Sequence, residues 1–217
     1  MKTAWHDGDD VRRVVAPVSL VVSAFAPVQD VRRTLTPQLR TDREDTRLVL
    51  VDLGAGRDRL GGSCLAQVYG RVGREAPDCD DPARLRAFFA ALARLRRAGV
   101  VLAYHDRSDG GLFVTLCEMA FAGHCGVEVD LVSVGAESRI VAALFAEELG
   151  AVLQVDASKE EQVLAVFRES GLEDCVRAIG RVTTSDRISF SVSGRTVLSA
   201  TRTELRRAWS ETSFRMQ

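Results

Sequence analysis

The segment Val100–Gly126, VVLAYHDRSDGGLFVTLCEMAFAGHCG, constrains the fold more than any other stretch. It begins with a branched apolar run, Gly99–Tyr104, short enough to be a buried strand. A polar loop, His105–Asp109, then leads to Gly110-Gly111. Beyond the glycines, Leu112, Leu116, Met119 and Ala120 fall on one helical face, and Ser108 or Asp109 is placed to cap the helix start. A strand that delivers an acidic loop to a helix N-terminus requires a layered α/β arrangement in which the strand lies inside a sheet.

That order carries a chemical expectation. Glycines let a ligand approach the backbone, and the N–H groups of a helix's first turn attract an anion. Two aspartates in the same loop repel a bare phosphate, so a polyphosphate needs a divalent cation between itself and the carboxylates. The same pattern also describes a capped helix after a tight turn, with Asp106 and Asp109 merely solvated. His105, beside a strand end, and His124 read as hydrogen-bonded packing residues rather than general bases.

The remaining chain alternates strands and helices. Pro17–Phe25 reads as a buried strand, Val28–Leu35 as a short helix stopped by Pro37, and Thr41–Arg47 as a charged linker. The strand Leu48–Leu53 enters a loop, Gly54–Ser63, whose glycines could cradle phosphate with help from Arg57 or Arg59, or could form a flexible turn. It has neither GxGxxG nor Walker spacing. A helix over Cys64–Tyr69 follows. Asp81 and Pro82 open another helix, with Leu85, Phe88, Phe89, Leu92 and Leu95 inward and Gly99 at its end. Past Gly126, the pattern predicts a strand to Val132, a helix over Ile140–Leu149, a strand over Ala151–Val155 and a helix over Lys159–Glu169 capped by Gly171. Three short strands follow, Ala178–Val182, Arg187–Val192 and Arg195–Ser199, the last two joined by Ser193-Gly194. A helix over Thr201–Thr212 ends the pattern. Glu147 and Glu148 read as surface or interdomain contacts, since no second catalytic group stands nearby.

Composition narrows the class. Lys and Arg number 29 against 30 for Asp and Glu, a net charge of -1, so no global field recruits nucleic acid or an acidic membrane. The five cysteines show no CxxC spacing, which argues for reduced thiols and against a zinc site; Cys117 and Cys125 read as small apolar packing residues. No apolar run approaches the ~20 residues that span a bilayer.

The run YHDRSDGGL followed by EMAFAGHCG resembles the second half of the synthetase region of the phosphoribosylformylglycinamidine synthase family. The likeness continues in the same order through SLVVSAFAPVQDVRRTLTPQL (Ser19–Leu39), LVLVDLG (Leu48–Gly54), LAQVY (Leu65–Tyr69) and FAEELGAVLQV (Phe145–Val155). It ends with Trp209–Ser213 and Met216-Gln217. The resemblance implies an α/β (α+β) fold: an AIR-synthase-related C-terminal domain over residues 41–217, with a mixed sheet flanked by helices, running into the linker before a glutaminase. Residues 1–40 would be the leftover strand and helix of a preceding AIR-synthase-like N-terminal domain, with Met1 a point of truncation.

The implied activity is conversion of formylglycinamide ribonucleotide to formylglycinamidine ribonucleotide with glutamine and ATP, in the cytoplasm. The implied cofactors are Mg²⁺ and ATP or ADP, with Asp106 matching a metal ligand and Ser108 a nucleotide contact. The resemblance places no catalytic residue here. It implies as partners the remaining synthetase and glutaminase domains and small nucleotide ligands, with no nucleic acid and no membrane. It also places the family's other metal carboxylates, its main ATP loop and its glutaminase nucleophile outside these residues, and the fragment alone is predicted to be inactive. Two alternatives stand beside this reading: a non-catalytic scaffold of the same enzyme, or another ATP-dependent member of the AIR-synthase superfamily.

Overall fold

The computed structural model describes residues 2–15, 22–28, 30–134 and 139–216. The chain forms two compact units, Met1–Thr34 and Leu35–Gln217.

The first unit carries an antiparallel hairpin of β1 (Lys2–Asp7) and β2 (Asp10–Val15), in register from Lys2 against Val15 to Asp7 against Asp10. A two-residue turn, Gly8-Asp9, with Gly8 at φ +63°, sets the hairpin despite the charged composition. The strand expected over Pro17–Phe25 is not found where it can be seen. Residues 17–21 lie outside the described residues, and Val22–Phe25 are exposed without regular structure, Phe25 almost completely. The helix expected over Val28–Leu35 reduces to one 3-10 turn, Val31–Arg33, started by the Asp30 side chain.

The second unit is built on a mixed seven-stranded sheet. Its strands are β3 (Thr46–Asp52), β4 (Val101–Asp106), β5 (Gly126–Asp130), β6 (Gly150–Asp156), β7 (Val176–Thr183), β8 (Arg187–Val192) and β9 (Arg195–Thr201). They lie in the order β4-β6-β3-β7-β5-β8-β9, antiparallel throughout except for the parallel pair β5–β8. The expected linker Thr41–Arg47 is shorter than the sequence suggests, because Thr46 and Arg47 already pair with Asp156 and Val155 of β6.

Helices cover both faces, so the central strands are apolar on both sides rather than alternating with polar residues. Leu48 and Leu50 of β3 point into one cluster, with Leu112, Leu116, Met119 and Ala120 of α3 (Gly111–Gly123) and Ala143 and Leu144 of α4 (Ile140–Phe145). Val49 and Val51 point into the other, with Phe88, Ala91 and Leu95 of α2 (Pro82–Ala98) and Val163, Val166 and Phe167 of α5 (Glu160–Glu169). This one-residue alternation is the pleat of the strand expressed as two cores. Asp81 caps α2, Pro82 occupies its first turn and Gly99 ends it in the left-handed region, as the sequence predicts. Ser193 and Gly194, both at positive φ, close the β8–β9 hairpin. The last helix, α6 (Arg202–Arg215), starts from a capping box of Thr201 and Glu204.

Cys117 and Cys125 are buried, which pushes their thiols up to about 12 and about 11. Among the described residues no helix is long and apolar enough to cross a membrane.

Candidate functional site

Strand β4 extends further than its apolar run, to Asp106, and so carries His105 and Asp106 out of the predicted loop and onto the strand end. It is an edge strand whose last pair joins Asp106 to Ala151 of β6. The Asp106 side chain is exposed. Two residues back on the same strand face, the Tyr104 ring packs against the α2–α5 core, and its hydroxyl donates to Asp106 Oδ1. Burial, reinforced by this bond, raises the phenol well above its ordinary value, so Tyr104 remains a donor. Among the described residues, Asp106 Oδ2 has no hydrogen-bond partner. His105 turns to the opposite face, where its Nε2 lies 2.8 Å from Glu118 Oε2 of α3, while Trp209 of α6 donates to Glu118 Oε1 at 3.0 Å. His105 is thus the hydrogen-bonded packing residue the sequence suggests.

Arg107 points inward between two exposed neighbours, Asp106 and Ser108. It is 5% exposed; Nε donates to the Glu148 carbonyl at 2.7 Å, and Nη2 reaches Asp52 Oδ1 at 2.6 Å and the Leu149 carbonyl at 3.3 Å. Asp52, at the end of β3 and 2% exposed, also accepts from the backbone N–H of Gly54 at 3.1 Å and Gly56 at 2.8 Å. One buried ion pair, with its remaining valences satisfied, therefore ties the His105–Gly110 loop to the glycine-rich loop.

The helix start differs from the sequence expectation. Neither Ser108 nor Asp109 caps α3; Gly110 is the N-cap, at φ +82°, with no side-chain bond of its own. Instead Glu147 Oε1 accepts from Gly110 N at 2.8 Å, and equally from Cys64 N at 2.8 Å, where α1 (Cys64–Val68) begins. Gly111 N is taken by the Ser108 carbonyl at 2.9 Å. The first amides that were expected to hold a phosphate already hold the protein's own carboxylate and carbonyl. Gly111 has a packing reason as well: a Cβ there would stand 2.7 Å from backbone atoms of Phe145 and Ala146.

The glutamate pair reads in the sequence as surface or interdomain contacts, but Glu148 is buried and Glu147 half-buried, both engaged by partners within this unit. The helix predicted to Leu149 stops at Phe145, and Ala146 is extended, so the next two side chains turn toward the loops. Glu148 is completely buried and grips Arg59 through Nε–Oε1 and Nη2–Oε2 bonds of 2.7 Å each. Gly54 makes room for it, since a Cβ there would sit 2.7 Å from Glu148 Cδ. Arg57 pairs with Asp80 at 2.8 Å, so both arginines that the sequence offers as possible help to a phosphate in the Gly54–Ser63 loop already have protein counter-charges. Asp58, in the same loop, binds Arg139 at 2.6 Å; burial first, and then the nearby Asp52, raise its carboxyl. An acidic doublet flanked by apolar residues on both sides was the available sign that these glutamates face inward.

The donor set fits Mg²⁺ on chemical grounds. A hard, small cation takes oxygen ligands, commonly one or two carboxylates completed by phosphate and water. Asp106 at the end of β4, with Ser108 and Asp109 in the loop after it, presents two carboxylates and a hydroxyl, all exposed. Cys64 Sγ lies with the Asp109 and Glu147 carboxylates inside a 4.8 Å cluster, but burial and those acids raise its thiol, which therefore remains protonated and a poor ligand.

Residues 43–193 match the family described as AIR synthase related protein, C-terminal domain. Among solved structures, PurL of Thermotoga maritima, a phosphoribosylformylglycinamidine synthase II, is similar in its complex with ATP, at TM-score 0.63 and 16% identity. Its complex with FGAR matches at TM-score 0.64 and 15% identity. Each alignment covers 81% of this chain but only 27% and 30% of PurL, so the chain spans less than a third of that protein. Escherichia coli HypE, a hydrogenase maturation protein, matches at TM-score 0.54 and 21% identity, over 77% of this chain and 52% of HypE. At these identities the structural matches establish a shared fold. With the sheet order, the two-sided core and a family match running from the residues before β3 to the β8–β9 turn, the chain belongs to the AIR synthase related proteins, as their C-terminal domain.

Proposed function

We propose that this chain is part of an ATP- and glutamine-dependent amidoligase that converts formylglycinamide ribonucleotide to formylglycinamidine ribonucleotide, contributing a Mg²⁺–nucleotide site from its second half. Residues 41–217 act as the AIR-synthase-like C-terminal domain and residues 1–40 as the tail of the preceding one, joined in the whole enzyme by the other synthetase domains and a glutaminase. In that reaction the formamide oxygen takes the γ-phosphoryl group of ATP, leaving ADP, and ammonia then displaces phosphate at the carbon. Mg²⁺ supplies charge neutralisation to the polyphosphate. Within this chain Asp106 holds the ion and Ser108 contacts the nucleotide, while Tyr104 and Arg107 fix the loop that carries them.

The observation that carries the reading is the placement of Asp106: an exposed carboxylate at the end of an edge strand, one oxygen without a partner among the described residues, beside a loop held from beneath by a buried ion pair. One observation favours the alternative of a scaffold. Glu147 takes the N-cap amide of α3 and the Ser108 carbonyl takes the next, so the loop needs no phosphate to be stable. Asp106→Ala in the whole enzyme decides between them. Lost turnover with an unchanged melting temperature supports the site; lost folding with normal turnover per folded molecule supports the scaffold.

A further inference from the structure

We infer that Tyr104 is a selectivity-determining residue: by occupying Asp106 Oδ1 it restricts that carboxylate to a single metal-binding oxygen and so favours Mg²⁺ over Ca²⁺. The inference rests on the reading of Asp106 as the metal ligand.

The Tyr104 ring is packed against the α2–α5 core, and its hydroxyl donates to Asp106. Both residues lie on one face of β4, two positions apart, so the pairing is set by the pleat of the strand and not by loop conformation. On the other side of the strand, His105 is engaged by Glu118. Mg²⁺ accepts a monodentate carboxylate in a tight octahedron, whereas Ca²⁺ is larger and readily takes both oxygens of one carboxylate. A tyrosine that covers one oxygen therefore disfavours the larger ion, and orients the remaining oxygen in the way outer partners orient metal ligands.

The test uses the purified chain and Mn²⁺ as a paramagnetic probe, followed by line broadening of the Asp106 and Ser108 amide resonances, which registers even weak occupancy. Mg²⁺ and Ca²⁺ are then titrated to reverse the broadening. Wild-type protein is expected to need less Mg²⁺ than Ca²⁺. Tyr104→Phe keeps the ring and the packing; it is expected to weaken Mg²⁺ about tenfold while weakening Ca²⁺ less or strengthening it. A purely structural role for Tyr104 would lower both affinities equally, and that result, or no change in either, overturns the inference. Asp106→Asn separates the two levels of argument: its loss of Mn²⁺ broadening upholds the ligand assignment whatever Tyr104→Phe does. If broadening persists in Asp106→Asn, the assignment and the inference fall together.

Discussion

Two loops of this protein begin alike and end differently. Each starts from an aspartate at a strand end, Asp52 on β3 and Asp106 on β4, passes through glycines and reaches a helix whose start is held by Glu147, through the Cys64 amide in one and the Gly110 amide in the other. Asp52 is buried, and its oxygens hold Arg107 and two glycine amides. The Asp106 carboxylate is exposed and, among the described residues, accepts one bond, from Tyr104. An acid before a glycine loop is thus a structural brace where a guanidinium arrives beneath it, and remains available to solvent and ions where a neutral hydroxyl is its partner.

The largest test of that contrast removes the guanidinium. Arg107→Ala leaves Asp52 as a buried charge without a counter-ion, which costs about 3–5 kcal/mol of stability. Urea unfolding should register it as a large drop in midpoint with little change in slope. A loss below about 1 kcal/mol, the scale of exposed pairs, would mean that the brace is an ordinary surface ion pair.

Next in size is the shared cap. Glu147→Ala orphans the amides of Gly110 and Cys64 together, and charge-assisted bonds to partly buried amides bring the expected cost to about 2 kcal/mol. Hydrogen exchange should accelerate at both amides, because one oxygen serves both. Acceleration at only one would show that the loops are held independently.

The division between what sequence discloses and what it hides follows the same line. Asp81, Pro82 and Gly99 announced α2 because caps act within a few residues. The apolar periods of β3, β6 and α3 announced the core, because a strand or helix face reports its own burial. Glu147 and Glu148 were misread because their partners, Cys64, Gly110 and Arg59, are 37 to 89 positions away and no local period marks them. The helix ahead of them ended early at Phe145, and that turn reversed which way they face. In the first unit the Gly8-Asp9 turn joins two exposed, charged strands that no apolar period announces.

A smaller effect belongs to the glycine-rich loop. The Asp58 carboxyl lies above its ordinary 3.8, through burial and through Asp52, with Arg139 opposing. The folded protein therefore binds this proton more tightly than the unfolded chain does. Its contribution to stability is complete below 3.8 and is lost as pH rises through the folded value. Asp58→Asn should remove that decline, so unfolding midpoints measured across this acidic range should converge or cross as pH rises. Parallel profiles would mean that Asp58 titrates alike in both states.

The smallest expected change is at Asp106, and its smallness is informative. Asn at this position still accepts from the Tyr104 hydroxyl through its carbonyl oxygen, and the side chain is exposed. Nothing buried loses a partner, so Asp106→Asn should alter stability by no more than about 0.5 kcal/mol, against several for Arg107→Ala. Thermal melts of the two variants side by side measure the contrast directly. If Asp106→Asn melted far below the wild type, the exposed carboxylate would be a brace like Asp52. The two loops would then differ in exposure but not in role, and the case for a metal at the β4 end would lose its footing.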